Sequence, residues 1–488
     1  MNIDSKIAGL TRREMIARSG AGFGKIGMLA ALQGAGALHG TVSLAGAGSL
    51  ADAKQPQVAG DDGLHHLAKA KRVIFLFMNG APSHVDTFDP KPELARREGQ
   101  SPAEDISQKN RAAGFMPSPF RFAKHGDSGV EMSELFPRLA KHADELCVVR
   151  SMHTDVPNHE PALLLMQSGN QQPVRPSLGS WLSYGLGSEN ENLPPYVALC
   201  PGLPVVGPQL WSSAFLPGQH QGVEINTNDT RVDRLIANVR NPKLSSTQQH
   251  RQLSLLRRFN ELHRQDRPGD DQLETHIRGM EMAYQMQTEA SEAFDISHES
   301  ETTRAAYGDT AYGRSCLLGR RLLERGVRCV QVFYVKDGQK QPWDTHRKNN
   351  ESHKVLCGDS DRATAALLDD LKNRGMLEDT LVIWGGEFGR TPYAQMDKSK
   401  DPKLTGRDHH HTGFSMWMAG GGVRGGLTYG ATDELGMHAV SNRVHVHDLH
   451  ATILHLMGID HQRLTFRYSG RDFRLTDVHG TVVSDLLA

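Results

Sequence analysis

The sequence is poor in cysteine, and none of what it has is arranged for bonding. Cys147, Cys200, Cys316, Cys329 and Cys357 are the only five in 488 residues, an odd number with no C-x-x-C pair. That argues against a disulfide framework and against a thiolate zinc site. An excess charge of either sign is also missing. Lys+Arg number 55 and Asp+Glu 56, for a net charge of -1. No global basic field draws nucleic acid, so no nucleic-acid partner is expected. Beyond the first fifty residues there is no uncharged apolar run of the ~18 residues needed to cross a bilayer, so no stable membrane span is expected there. The 49 glycines and 23 prolines follow no period, which excludes a collagen-like chain. With 38% hydrophobic residues there is material for a sizeable core, which excludes wholesale disorder. What is abundant is histidine, 25 in all. Histidine is the commonest metal ligand and proton carrier, so the count raises the prior for a metal-dependent enzyme without locating the site.

The N-terminus reads as an address. Arg12-Arg13 precedes a weakly apolar, glycine- and alanine-rich run from Ile16 to about Gly48, and Ala51-Asp52-Ala53 offers small residues for cleavage. A twin arginine before such a stretch is a Tat-type export signal, so residues 1–53 are expected to be removed. Residues 54–70 read as a linker. The product is expected to be periplasmic or secreted.

From residue 71 the pattern is α/β. Arg72-Val73-Ile74-Phe75-Leu76-Phe77-Met78 is a continuous β-prone apolar run, as in a strand buried on both faces. Similar runs recur at Leu146–Val149, Val327–Phe333 and Thr380–Trp384. Helical patterns precede the last three, over Ser133–His142, Cys316–Arg325 and Ala363–Gly375. The alternation predicts one α/β domain over 71–488 with a largely parallel central sheet flanked by helices. A charged, helix-favouring stretch near 248–298 reads as a helical insertion. Residues 95–122 and 397–407 read as long loops.

Ligands bind beyond the carboxyl ends of strands in such sheets, so the residues after each run carry the chemistry. After the first run come Asn79, His84 and Asp86; after the second, His159; after the third, Asp344 and His346. After the fourth come Glu387 and Arg390, followed by His409-His410-His411. Carboxylates and imidazoles converging from several strand ends suit a divalent ion, Zn, Mn or Ca. Asp344 and His346 lie two apart and share one side of an extended segment. In the histidine triplet only alternate members of a strand face a site, and His410 is favoured, with His409 and His411 as alternates. His84 and Asp86 could supplement Asn79, a weak ligand. His159 sits at an expected helix N-terminus, which favours a neutral ring able to ligate or to attack. Arg390 could clamp a phosphate or sulfate or pair with a neighbouring carboxylate. Trp211–Gly218 could form a recognition loop. His445, His447, His450 and His455 read mostly as packing or surface residues.

The order of these motifs resembles the alkaline phosphatase and sulfatase superfamily. More narrowly, Met78 to Pro92, Glu131-Met132-Ser133-Glu134-Leu135-Phe136-Pro137, Gly385 to Pro392 and Phe466 to Asp477 resemble the DUF1501 family of exported bacterial proteins of unknown function. Against the superfamily, Asn79 stands where its first-strand aspartate falls, and His159 stands at the nucleophile position. Glu387-Phe388 stands where it has Asp-His. The resemblance implies an alkaline-phosphatase-like fold, and a metal-dependent hydrolase of phosphate or sulfate esters that is sulfatase-like without a formylglycine cysteine. Its substrate would be a small-molecule or polysaccharide ester. The departures support an alternative: a non-catalytic binding protein on the same fold, recognising a polysaccharide or a protein.

Overall fold

A computed structural model describes residues 64–101, 112–190, 192–229, 231–235, 245–265, 277, 292–336, 338–396, 401 and 404–488. The expected signal (1–53), part of the linker (54–70) and much of the insertion near 248–298 lie outside the described residues.

Nine strands form the central sheet. In chain order they are β1 (Arg72–Phe77), β2 (Leu146–His153), β3 (Tyr196–Cys200), β4 (Val223–Asn226), β5 (Cys329–Phe333) and β6 (Thr380–Gly385). A separate pair follows, β7 (Gly389–Gln395) and β8 (Gly406–His410), and then β9 (Phe414–Ala419), β10 (Leu427–Tyr429) and β11 (Val444–His445) complete the sheet. The spatial order is β10-β2-β9-β6-β1-β5-β3-β4, with β11 also on β2. Every pairing in it is parallel except those of β9, which runs against both β2 and β6. The largely parallel α/β sheet read from the sequence is therefore the fold.

The two faces of β1 show why its run is unbroken. Val73, Phe75 and Phe77 pack under α1 (His159–Ser168), α2 (Leu178–Leu186) and α7 (Val446–Leu456). Ile74 and Leu76 pack under α5 (Ala311–Glu324) and α6 (Asn349–Asn373). With successive side chains pointing to opposite faces and both faces covered, positions 73–77 are all apolar, and only Arg72 at the strand's start is polar. Two further helices, α3 (Ser246–Gln265) and α4 (Glu301–Tyr307), complete the described set of α-helices longer than five residues.

Local expectations were corrected in three places. Ser133 closes a β-hairpin, Phe122–His125 with Val130–Ser133, and the helix before β2 is only the 3-10 turn Leu139–Glu145. Pro137, which has no N–H to give, separates the two. The stretch from Gly389, read as a loop after the fourth run, is strand β7, paired with β8 and with Ala112–Phe115. That last strand lies inside the expected loop 95–122. In the candidate recognition loop, Trp211 is buried with its ring 5.6 Å from that of Phe333.

The register sets the working edge. Phe77 pairs with Gly385 on one side and with Phe333 on the other, so β1, β5 and β6 end together. Because β9 is antiparallel, its first residue, Phe414, lies beside Met152 near the end of β2. The chain leading into it, β8, is thereby brought to the same edge.

Candidate metal centre

At that edge the backbone is packed too closely for side chains. Gly80 has φ +103°, and a Cβ there would collide with the backbone N of Asp344. Trp343 N–H donates to Asn79 O (3.0 Å), and the Trp343 ring is fully buried against Tyr334, His353 and Trp384. Asp344 is thus pinned against the end of β1. A Cβ on Gly406 would in turn strike the backbone of His346. With Arg407 N–H donating to Thr345 O (3.0 Å), this docks β8 on the segment 344–346.

Four side chains converge as a result. Asp344 Oδ1 lies 3.2 Å from His159 Nε2, 3.0 Å from His346 Nε2 and 3.3 Å from His409 Nε2. The Nε2 atoms of His346 and His409 are 2.9 Å apart. Each of the three rings has its other nitrogen occupied by an acceptor. His159 Nδ1 meets Glu387 Oε1 at 2.6 Å, His346 Nδ1 meets Gln395 Oε1 at 2.5 Å, and His409 Nδ1 meets Pro157 O at 2.9 Å. An acceptor at Nδ1 fixes the hydrogen there and leaves Nε2 a lone pair. Three Nε2 atoms therefore surround one carboxylate oxygen, an arrangement that a bound cation would satisfy.

The short spacings around Asp344 Oδ1 come close to those of a bound ion. A tetrahedral ion with ~2.0–2.2 Å bonds spaces its ligand atoms about 3.3–3.6 Å apart, slightly wider than the distances here. The ligand atoms of His159, Asp344 and His409 lie within 4.8 Å of one another, as do those of His346, Asp408 and His409. Glu387, fully buried, also accepts from Gly80 N–H (3.0 Å), which ties its carboxylate to the β1 turn. The ring of Phe388 lies 4.8 Å from His159 and 5.0 Å from His409. It is an apolar wall against the rings of His159 and His409.

Arg390 is fully buried. Its Nη2 lies 2.6 Å from Asp344 Oδ1, and its other bonds go to the carbonyls of Gly80, Ala81 (Nε, 3.1 Å) and Arg407 (Nη1, 3.5 Å). Burial alone would raise the Asp344 carboxyl, but Arg390 and the three histidines outweigh it and hold the group well below the usual carboxylate range. Burial also disfavours a charged His159, yet its contacts with Asp344 and Glu387 raise it above the ordinary value. The helix end, read from sequence as keeping this ring neutral, is the weaker influence. For His409 burial wins, and its basicity is lowered.

The structure therefore brings together Asp344, His346, Glu387, Arg390 and His159, and adds His409, Asp408 and Gln395. It places other expected ligands elsewhere. Asp86 is fully buried in an ion pair with Arg407 (2.8 and 3.1 Å), supported by Ser83 (2.6 Å) and Asn349 (2.9 Å). His84 Nε2 bonds Gly436 O (2.9 Å) and its ring stacks on His410, whose Nε2 meets Met437 O. Asn79 gives its Nδ2 to Tyr334 O at 3.3 Å. His410 loses to His409 because the antiparallel pair Arg390–His409 turns His409 towards the site and His410 to the far side. That parity was not legible without the register. His447 and His450 bond the carbonyls of Gly169 and Met166, a packing role.

Residues 70–487 match the family described as "Protein of unknown function (DUF1501)", and the chain belongs to it. No curated protein matches it. Among solved structures it is similar to the lipoteichoic acid synthase LtaP from Listeria monocytogenes (10% identity, 86% of this chain and 78% of that one, TM-score 0.36). It is also similar to PsFucS1 sulfatase from Pseudoalteromonas sp. (14% identity, 86% and 72%, TM-score 0.36). A third is the phosphonate monoester hydrolase SpPMH from Silicibacter pomeroyi (10% identity, 80% and 73%, TM-score 0.29).

Proposed function

We propose that this DUF1501 member is an exported metal-dependent hydrolase of phosphate or sulfate esters. The observation that carries the metal is the meeting of three Nε2 lone pairs with Asp344 Oδ1, each ring held from behind by an acceptor. Asp344, His346, His409 and His159 would hold the ion. A donor set richer in nitrogen than in oxygen suits Zn or Mn better than Ca, which prefers six to eight oxygens. Bound there, the ion would supply Lewis-acid polarisation of the ester oxygens.

The chain's own residues divide the remaining work. Glu387 fixes the tautomer and tilt of His159. Arg390, its donors taken by backbone carbonyls and Asp344, keeps that carboxylate ionised, so we assign it a positioning role and not a clamp on substrate. The side chains of His346, Asp344 and His409 are 33%, 24% and 20% exposed, so one side of the cluster faces solvent, where an ester can approach. His159 serves as ligand or as nucleophile through the same Nε2.

The test is metal analysis of the purified full chain, followed by aryl phosphate, phosphodiester and aryl sulfate substrates with added Zn or Mn. Binding of about one ion per chain and turnover on one ester class are expected, both abolished in Asp344→Asn. His159→Ala separates its roles: lost metal marks a ligand, retained metal with lost turnover a nucleophile. Metal without turnover on any ester would favour the second reading, a binding protein for a polysaccharide or a protein. The withdrawal of Arg390 from solvent is the observation on its side.

A further inference from the structure

Far from the chemistry in sequence, α3 (Ser246–Gln265) carries an apolar strip in the open. Leu255, Leu256, Phe259 and Leu262 are 55%, 41%, 54% and 58% exposed. At ~100° per residue, Leu262, Leu255 and Phe259 fall within about 60° of one another, one continuous stripe along the helix. Arg251 and Arg258, both exposed, border it on one side. Exposed Arg257 lies on the opposite part of the wheel, beyond Leu256. Gln252, Leu253 and Asn260, on the sector past Phe259, are half-buried. By composition the helix carries four arginines and a single acid, Glu261.

A stripe of this kind on a monomer surface calls for a partner. We propose that this face of α3 docks the protein on an anionic lipid surface, lying in the headgroup plane. The charge selects the occupant. A second copy of the same helix would set arginines against arginines. A bilayer accepts an apolar strip in any register and offers phosphates all along the arginine border, where the stems of Arg251 and Arg258 cover apolar surface while their heads stay with the phosphates. An acidic protein would need an acidic ridge set in one fixed register beside an apolar groove. Twenty residues give the helix about 30 Å of length, enough for three apolar anchors on one line. No helix among the described residues is long and apolar enough to cross a membrane, so α3 would lie on the bilayer and not span it.

The experiment is co-sedimentation of the full chain with phosphatidylglycerol-rich vesicles and with pure phosphatidylcholine vesicles, at low and high salt. Binding to the anionic vesicles alone is expected, weakened by salt. Arg251→Gln or Arg258→Gln should each lower it about fivefold. Phe259→Gln should lower it at least as much, with metal content and thermal unfolding unchanged because the side chain is exposed. No binding to anionic vesicles, or equal binding to neutral ones, overturns the proposal. So does a dimer that dissociates in Phe259→Gln, which would give the face to a second copy. Retention on immobilised polyglutamate without vesicle binding would give it to an acidic protein.

Discussion

Glu387→Gln tests the metal centre without touching a ligand. The carboxylate accepts from His159 Nδ1 at 2.6 Å and from Gly80 N–H at 3.0 and 3.3 Å, in full burial. Glutamine is the same size but offers one acceptor oxygen where glutamate offers two. If that oxygen stays on Gly80, the amide NH2 faces His159 Nδ1 and drives its proton to Nε2, which closes the lone pair aimed at Asp344. If it stays on His159, Gly80 loses its partner and the β1 turn loosens. Either way a charge-assisted bond, worth ~1.5–3 kcal/mol, is replaced by a neutral one worth ~0.5–1.5 kcal/mol. That difference alone is about tenfold in affinity, and the tautomer term adds to it. Losses of 10–100-fold are typical for partners behind metal-bound histidines, and we expect a loss of about that size. Competition for Zn against a chromophoric chelator measures it directly. Metal-free Glu387→Gln should keep its secondary structure, which separates weakened binding from unfolding. Wild-type affinity in a folded Glu387→Gln protein would refute the reasoning, since it would mean that His159 Nε2 is not aimed at an ion.

Asp86→Ala strands the Arg407 guanidinium, which is fully buried. We expect a loss of about 3–5 kcal/mol in urea unfolding, far more than for a surface pair. Acid should weaken the fold through its buried histidines. Burial lowers His353 to about 4 and His450 to about 3, so both stay neutral in the native state while the unfolded chain takes up protons near 6.5. Their stabilisation is complete above pH 6.5 and is lost as pH falls towards 4 and 3, at ~1.4 kcal/mol per unit per group. Urea midpoints at pH 7.5, 5.5 and 4.5 should fall in that order, and His450→Gln should flatten the slope. Arg12→Lys with Arg13→Lys should retain the protein in the cytoplasm by fractionation; normal export of the double variant would remove the Tat-type reading.

The fold was legible where burial leaves a mark on composition. β1, β2, β5 and β6 are covered on both faces and read as mostly apolar, β-prone runs, and side chains following several of them meet in the cluster. β9 was missed because its Phe414-Ser415-Met416-Trp417 mixes residue types. Only the sheet reveals that this strand is antiparallel. That omission propagated into the site: β9 sets the position of β8, and the register of β7 with β8 decides between His409 and His410. His84 and Asp86 share the spacing of a chelating pair, yet Asp86 is claimed by Arg407, 321 residues on. Spacing cannot report a partner that distant. The partners behind the rings, Gln395 and the carbonyl of Pro157, carry no sequence signal at all.

The cluster is assembled from parts that are strangers along the chain. His346 and His409 stand 63 residues apart, and His159 stands 228 from the glutamate behind it. Of the four converging side chains, the only neighbours along the chain are Asp344 and His346, so a chain truncated before β8 carries at most an incomplete set of the side chains that meet here. Under the proposed function, full loading would follow closure of the sheet, and bound metal would be a readout of completed folding. A chain stopped before β8 would lack the imidazole of His409 however well its first strands had formed.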